Sequence, residues 1–223
     1  FCWGDDTYGQ VGDDASAPDT TVPVQVTTGL AADAITPVAV STGWAQVDVA
    51  QTHACAVRTT GSQLYCWGDN SYGQVGDGTG IEADVPVQLT DVIIDDLGTT
   101  ASRPLGWGSV DVSEDHACAV RATGSQYYCW GDNSYGQLGD GTTIDRVAPV
   151  RVLTLAKVKS IDAGSNHTCA VKMNGRAWCW GKNLSGMLGD GTTANRSVPV
   201  KVLKVSAFRT IEASVDHTCG ISV

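Results

Sequence analysis

Eight cysteines are the residues of this 223-residue chain best placed to do chemistry, because six of them recur as evenly spaced pairs. The pairs are Cys55 and Cys66, Cys118 and Cys129, and Cys169 and Cys179. Each pair is symmetric about a short glycine-containing turn, so the spacing predicts a β-hairpin in which the two cysteines face each other. Directly opposed residues of antiparallel strands are close enough for a disulfide. Reduced or metal-bound cysteines are the alternative, and the spacing disfavours them because it is not that of a C-x-x-C metal site.

Cys2 and Cys219 fit the two arms of one further hairpin. Cys219 lies in DHTCGISV, which has the sequence of a first arm, and Cys2 lies in FCWG, which has the sequence of a second arm. We expect these segments to pair and to close the row of repeats with a fourth disulfide. Four disulfides predict an oxidising compartment, so the chain is expected to be secreted or displayed at the cell surface.

Four histidines each stand two residues before a hairpin cysteine, namely His53, His116, His167 and His217. A shared position indicates a shared cause, and we predict that a ring nitrogen satisfies a backbone group in the repeat. Metal ligation is the alternative, but equivalent sites of separate repeats lie far apart, whereas metal ligands converge from unlike positions.

Other catalytic and metal-binding motifs are weak. The GDGT turns lack the carboxylate ladder of a calcium loop, although weak calcium binding stays an alternative. The chain has no G-x-S-x-G nucleophile elbow. We therefore predict no enzymatic activity, no metal and no cofactor.

The elements that position these residues are repeats. Four copies of a stretch typified by CWGDNSYGQLGDGTT begin near residues 1, 65, 128 and 178. Short runs of β-branched and aromatic residues alternate with Gly, Asn, Asp and Pro, which predicts short strands and tight turns. Repeats within one chain stack on their neighbours, so residues 1–223 are predicted to form a single all-β domain.

The composition excludes two classes of partner. The formal net charge is -10, whereas proteins that bind nucleic acid use clustered Lys and Arg to neutralise phosphates. The longest apolar runs fall short of the roughly 18 residues that a membrane-spanning helix needs. We therefore expect no nucleic-acid partner and no membrane insertion.

Units with GxxHTCAV, a small turn, CWGxNxxGQLGDGTT and a downstream PVxV resemble the regulator of chromosome condensation repeat family. The resemblance covers nearly the whole chain, and the cysteine-containing version is similar to repeats of secreted or surface proteins of bacteria. It implies a β-propeller of four-stranded blades, commonly about seven, whose first and last strands interlock. The family's best-known member is a nuclear exchange factor that binds chromatin. That activity is not expected here, because the cysteines and the negative charge fit neither setting.

This chain departs from the family in having only four units. Propellers of about four blades are known, so we predict a four-bladed propeller whose closing hairpin is split between the two ends. Two alternatives stay open. The chain is a piece of a larger propeller, or a neighbouring subunit completes the hairpin, since exchanged elements readily make oligomers.

Insertions distinguish the first two units from the last two. From the Pro of Pro-Val to the next hairpin cysteine, the first two units span 32 positions and the last two span 20. The additional residues lie at about 27–44 and 91–107, and we predict that they lie side by side on one face. The candidate contact residues are Trp44, Pro37, Ile94, Asp95, Asp96, Arg103 and Trp107. Alternatively, the insertions form extra strands on their own blades or on each other.

These observations predict an extracellular, non-enzymatic binding scaffold that presents both insertions to a protein or carbohydrate partner, because exposed aromatics with mixed charge suit either ligand. The alternative is a self-assembling structural subunit of a surface or extracellular polymer, a homo-oligomer in which Cys219 of one copy meets Cys2 of the next. An enzyme that uses the central channel is a third hypothesis.

Overall fold

The computed structural model describes residues 1–13, 19–26, 28–30, 37–39, 42–89, 92–94, 100–102, 106–122 and 126–223. These residues form β-strands joined by turns, and they contain no α-helix. The strands make a series of sheets, each packed against the next. This is the all-β propeller arrangement that the repeats predict.

The strands fall into two half-blades, two inserted hairpins and three complete blades. Half-blade A is β1 (Cys2–Gly4) and β2 (Thr20–Val24), and the first inserted hairpin is β3 (Thr28–Leu30) and β4 (Pro37–Ala39). Blade I is β5 (Trp44–Val49), β6 (His53–Arg58), β7 (Leu64–Gly68) and β8 (Ala83–Gln88). The second inserted hairpin is β9 (Val92–Ile94) and β10 (Thr100–Ser102). Blade II is β11 (Trp107–Val112), β12 (His116–Arg121), β13 (Tyr127–Gly131) and β14 (Arg146–Arg151). Blade III is β15 (Val158–Ala163), β16 (His167–Lys172), β17 (Ala177–Gly181) and β18 (Arg196–Lys201), and half-blade B is β19 (Phe208–Ala213) and β20 (Thr218–Ser222).

Each complete blade is an antiparallel meander that runs outward from the propeller axis. The first strands, β5, β11, β15 and β19, contact one another in that order and form the inner wall. The inserted hairpins extend the sheets of blades I and II at their outer edges. β3 pairs in parallel with the outer strand β8, and β9 pairs in parallel with the outer strand β14. In the part of the chain that the structure describes, blades I and II therefore have six strands each, whereas blade III has four.

The predicted hairpin register is confirmed in all three blades. Cys55 lies opposite Cys66, Cys118 opposite Cys129, and Cys169 opposite Cys179. Each pair forms a disulfide across a Cα separation of 4.1 Å. All six cysteines are fully buried, so each disulfide cross-links the centre of its blade.

The same register determines which residues face each other at the neighbouring positions of the hairpins. Trp67 lies opposite Ala54, Trp130 opposite Ala117, and Trp180 opposite Thr168. Gly61 and Gly175, in the turns of blades I and III, have φ values of 76° and 78°, as the predicted turns require.

The predicted closing hairpin is wrong. Cys2 and Cys219 are both free thiols, and in the described part of the chain β1 pairs with β2 alone and β20 pairs with β19 alone. The reason is geometric. Half-blade A packs against blade I through a hydrogen bond from Trp67 to Gln10, and half-blade B packs against blade III. Three intact blades hold the two halves of the hairpin apart.

Candidate binding surfaces

One recurring contact, which we call the tryptophan joint, attaches each blade to the sheet that precedes it. The indole Nε1 of Trp180 in blade III donates to the backbone carbonyl of Gln137 in blade II at 2.7 Å. A Cβ on Gly139 would lie 2.7 Å from that nitrogen, so only glycine lets the ring approach. The joint recurs with Trp130, Gln74 and Gly76, and with Trp67, Gln10 and Gly12.

The GDGT turns stabilise the loop whose backbone carbonyl accepts the indole N–H in the tryptophan joint. The buried Asn133 side chain donates to Asp140 and to the carbonyl groups of Thr142 and Ile144, and it accepts from Leu138. Asp140 also accepts from the Arg146 guanidinium at 2.7 Å. Burial raises the pKa of Asp140, but hydrogen bonds with Thr142 and Arg146 outweigh it and lower that pKa overall. The turn carboxylate is thus bound within the loop rather than presented to an ion.

A break in the repeat pattern has a structural cause. Asp132, which follows Trp-Gly in blade II, accepts a hydrogen bond from the Gln137 side chain. In blade III the corresponding residues are Lys182 and Met187, so both members of this pair change together. The Lys182 ammonium instead contacts the ring of Tyr135 in blade II, at 5.2 Å from its centroid.

Two of the four histidines, His116 and His167, bind side-chain hydroxyls of the next sheet rather than the backbone groups that we predicted. His116 Nε2 lies 2.9 Å from the hydroxyl of Thr168, and that hydroxyl donates to the Gln137 carbonyl. His116 Nδ1 lies 2.7 Å from the Ser113 hydroxyl. Burial lowers the pKa of His116 to about 3, so this serine–histidine contact lacks a base of useful strength near neutral pH and is structural.

The contact between a histidine and a hydroxyl of the next sheet forms only where that sheet carries a threonine at the facing position. His167 Nε2 lies 2.8 Å from the hydroxyl of Thr218. Blade II has Ala117 where blade III has Thr168, and the fully buried His53 ring makes no hydrogen bond of normal geometry. Burial lowers the pKa of His53 to about 4, so its ring is neutral in the folded protein. No cluster of three or more His, Cys, Asp or Glu is arranged to hold a metal ion within the described ranges.

A line of carboxylates runs along the inner wall, and the sequence analysis missed it. Asp48, Asp111, Asp162 and Glu212 occupy the same position of β5, β11, β15 and β19. Asp48 accepts from the Val112 backbone N–H at 2.7 Å, Asp111 accepts from that of Ala163 at 2.6 Å, and Asp162 accepts from that of Ala213. Each of the three aspartates thus binds the next inner strand. An acidic residue five positions before every histidine was the available signal.

Burial and the charges of the neighbouring carboxylates Asp162, Asp48 and Glu212 together raise the pKa of Asp111 to about 7, against the lowering effect of the hydrogen bond from the Ala163 N–H. Burial also raises the pKa of Asp162 to about 6. The inner wall therefore holds carboxyl groups that repel one another when ionised.

Substituting Asp111 with asparagine is expected to stabilise the protein at high pH. The folded-state pKa of Asp111 exceeds its ordinary value of 3.8, so above pH 4 the unfolded chain releases a proton that the folded chain retains. This lowers the stability of the wild type increasingly from pH 4 to pH 7. The Asn oxygen still accepts the Ala163 N–H without a charge. We expect Asp111→Asn to raise the free energy of unfolding by about 1–3 kcal/mol at pH 8, with little effect near pH 4, in urea denaturation at both pH values.

Asp190→Asn is the matched control, with the opposite sign. Burial raises the pKa of Asp190, but hydrogen bonds from Thr192, Arg196 and Asn183 lower it to about 2 overall. Its charge therefore stabilises the folded protein above pH 4, and its removal should destabilise the protein at pH 8. Destabilisation by both substitutions at pH 8 would contradict the assignment of Asp111.

A shallow depression of about 350 Å³ opens on the axis where four turns meet, one each from blades I, II, III and half-blade B. Corresponding positions in these turns carry Gln51, Glu114, Ser165 and Val215, so the blades differ here. Beside it, burial and the charges of Glu114, Asp132 and Asp69 raise the pKa of Asp115 to about 6. The surface around the depression is therefore acidic.

The structure places the predicted contact residues of the insertions in three different settings. Pro37 and Ile94 lie in the strands β4 and β9, which matches the alternative that the insertions add strands to their own blades. Asp95, Asp96 and Arg103 lie outside the described residues. The two tryptophans lie at the starts of the inner strands β5 and β11 rather than in the inserted hairpins.

The prediction that Trp107 is an exposed contact residue is wrong, because only 2% of its surface is exposed. It begins β11, and its ring meets the Tyr128 ring edge-on at 5.8 Å and the Arg121 guanidinium at 3.8 Å. Buried Val158 and Phe208 begin β15 and β19, so the position belongs to the core. Trp44 begins β5, packs against Tyr65 and is only partly exposed.

Two clefts flank the intact blades. One, of about 270 Å³, lies between blade III and half-blade B and is lined by Met187, Gly189, Phe208, Cys219 and Gly220, among others. The other lies between half-blade A and blade I as adjoining cavities of about 410 and 210 Å³, which share Phe1, Cys2 and Val47.

Repeated antiparallel blades, one joint used three times and a disulfide in each blade define a β-propeller protein of a repeat class. One family model described as "Regulator of chromosome condensation (RCC1) repeat" matches residues 62–94, 126–171 and 174–221. A second model of the same description matches residues 38–74, 109–137 and 158–186. The chain belongs to the RCC1 repeat family.

Similar proteins share only part of their length with this chain. It is 32% identical over 130 residues to the human E3 ubiquitin-protein ligase HERC2, which covers 56% of this chain and 2% of HERC2. It is 28% identical over 125 residues to the ultraviolet-B receptor UVR8 of Arabidopsis thaliana, covering 55% of this chain and 26% of UVR8. The structure of Prp20p from Saccharomyces cerevisiae has the same fold, with a TM-score of 0.71 and 18% identity over 99% of this chain and 51% of Prp20p. This chain therefore spans about half the length of Prp20p and a smaller share of UVR8 and HERC2.

No helix among the described residues is long and apolar enough to cross a membrane.

Proposed function

We propose that the chain is an extracellular, non-enzymatic binding scaffold that holds a protein partner at the rims of blades I and II. The observation that supports this most is the asymmetry of the blades, because only blades I and II are extended to six strands within the described residues. Loop variation on a shared scaffold is where repeat proteins commonly carry their function. The three buried disulfides are compatible with an oxidising extracellular setting.

The inserted hairpins suit binding because they end in open strand edges. β4 and β10 are the last strands of their sheets, and each pairs on one side only within the described residues. An unpaired edge offers backbone N–H and C=O groups to an extended segment of a partner. Each hairpin is joined to the outer strand of a disulfide-linked blade, β3 to β8 and β9 to β14. The open edges favour a protein over a carbohydrate, which stays an outcome of the test.

The short connection between blades II and III supplies the template for a test. In one variant, residues 25–43 and 89–106 are each replaced by residues 152–157, the short link that joins β14 to β15. Wild type and variant are used to capture proteins from an extracellular fraction and are screened against immobilised glycans. We expect the variant to fold, by circular dichroism, and to lose a protein that wild type captures. Single replacements serve as controls and should lose part of the binding.

Capture of the same protein by the double variant would contradict the proposal. Glycan binding that disappears with the insertions would keep the site and replace the partner class. Retention of all binding would move the search to the acidic depression on the axis.

A further inference from the structure

The loop at residues 5–13 of half-blade A differs from the corresponding loops of the three blades at one buried position. In the blades this position is a fully buried asparagine, namely Asn70, Asn133 and Asn183. Half-blade A carries Asp6 there, and Asp6 is only 1% exposed. The loop otherwise makes a complete tryptophan joint, because Trp67 of blade I donates to its Gln10 carbonyl at 2.9 Å.

The asparagine uses both of its side-chain polar atoms. In blade I the Asn70 oxygen accepts from the Val75 backbone N–H at 3.0 Å. The Asn70 amide nitrogen donates to the Asp77 carboxylate at 3.3 Å. It also donates to the backbone carbonyls of Thr79 and Ile81, at 3.2 and 2.9 Å. Blades II and III repeat these contacts, so in each blade the nitrogen faces oxygen atoms.

Asp6 keeps one half of this arrangement and reverses the other. Its Oδ1 accepts from the Val11 backbone N–H at 2.9 Å, as the Asn70 oxygen accepts from Val75. The second oxygen, Oδ2, therefore takes the place of the amide nitrogen. That oxygen is buried and has no hydrogen-bond partner among the described residues. A hydrogen-bond acceptor thus lies where the other loops have a donor.

The surroundings of Asp6 are acidic. Asp13 occupies the repeat position of Asp77, the carboxylate that the asparagine amide binds in blade I. Burial and the charges of Asp13, Asp84 and Asp5 raise the pKa of Asp6, against the lowering effect of the Val11 N–H. The first 57 residues of the sequence contain no Lys or Arg, so this segment supplies neither side chain as a counter-charge.

We propose that the loop 5–13 binds a divalent cation of the calcium class, held by Asp6 Oδ2 and the Asp13 carboxylate where the other loops have the asparagine amide. Ca²⁺ takes about 6–8 oxygen ligands and accepts water among them, so two carboxylates can anchor it. This is fewer than the three side chains of a metal cluster, of which the described residues contain none.

This site is separate from the GDGT turns, whose carboxylates are bound within their own loops, and it goes against the sequence-based prediction of no metal. A bound cation would stabilise the loop whose Gln10 carbonyl accepts from Trp67, and so the attachment of half-blade A to blade I. The inference goes beyond the proposed function and does not depend on the inserted hairpins.

Calcium titration of the chelator-treated protein tests the proposal. Isothermal titration calorimetry with CaCl₂ should find one site with a Kd of about 10⁻⁴–10⁻³ M, the range of extracellular calcium modules. Asp6→Asn introduces the asparagine of the other three loops, so this variant is expected to fold. Asp6→Asn and Asp13→Asn should each weaken binding at least about tenfold. Asp216→Asn removes the same charge from a side chain of half-blade B that is 74% exposed, and it should leave the Kd unchanged.

Thermal denaturation gives an independent measurement. Millimolar CaCl₂ should raise the melting temperature of the wild type above its value in EDTA. Asp6→Asn should melt at the same temperature in both solutions, and in EDTA it should melt above the wild type, because the amide restores the missing donor.

The proposal is overturned by a wild type that does not bind Ca²⁺ at millimolar concentration, or by an Asp6→Asn variant that binds as tightly as the wild type. Equal weakening by Asp216→Asn and Asp6→Asn would also overturn it, since the effect would then come from overall charge. A wild type that ignores Ca²⁺ but loses stability as the pH rises would overturn it too, and would assign a proton to Asp6 Oδ2.

Discussion

Replacing Trp180 with alanine is expected to lower the free energy of unfolding by about 3–5 kcal/mol. The Trp180 ring is fully buried between blades II and III. Its removal leaves a cavity and deprives the Gln137 carbonyl of the indole N–H donor. The measurement is urea denaturation followed by far-ultraviolet circular dichroism, because the signal of the other tryptophans would complicate fluorescence.

Two further substitutions show which part of the joint matters. Trp180→Phe keeps most of the packing and loses the donor, so about 1–2 kcal/mol is expected. Trp3→Ala, measured under the same conditions, should change stability by less than about 0.5 kcal/mol, since Trp3 is 63% exposed. Equal losses from Trp180→Ala and Trp3→Ala would contradict the assignment of the joint.

Gly181→Ala is expected to cost at least about 3 kcal/mol or to prevent folding. Gly181 follows the joint tryptophan and has a φ of 105°, which disfavours a side chain. A Cβ there would lie 2.6 Å from the Asn166 carbonyl oxygen and 2.7 Å from the His167 Cα, both on the adjoining hairpin backbone. Strain and collision therefore act together, and denaturation of the purified variant measures their sum.

Gly4→Ala separates the two effects. Gly4 has a φ of 119°, but a Cβ there would meet nothing within 4 Å. Strain alone should cost about 1–2 kcal/mol. If Gly4→Ala and Gly181→Ala are equally damaging, the close approach of the two strands in blade III is not what requires the glycine.

The interior of each blade could be predicted because it is local. A hairpin of about ten residues fixes its own register through the symmetry of its turn, so the cysteine pairs and the Trp67–Ala54 pair followed from counting. The histidines show the limit of that reasoning. Their shared position indicated a structural role, but the partner hydroxyl of Thr168 lies 52 residues from His116, where counting within a hairpin gives no guidance.

The arrangement of blades could not be predicted in the same way. Joints such as Trp180 with Gln137 and strand pairs such as β3 with β8 set the angle between blades and the path of the insertions, and these contacts are distant in sequence. The predicted ring closure failed for this reason. Trp107 was wrongly predicted to lie on the surface for a different reason. A comparison with Val158 and Phe208, which occupy the same repeat position, would have indicated that it belongs to the core.

Peptide mapping of the unreduced protein tests most directly whether the chain is a row of separately cross-linked blades. The protein is digested with free thiols blocked, and the disulfide-linked peptides are identified by mass spectrometry. We predict the links Cys55–Cys66, Cys118–Cys129 and Cys169–Cys179 in every molecule, whether or not Cys2 and Cys219 are linked. A link between cysteines of different blades, or free thiols at these six positions, would contradict the account.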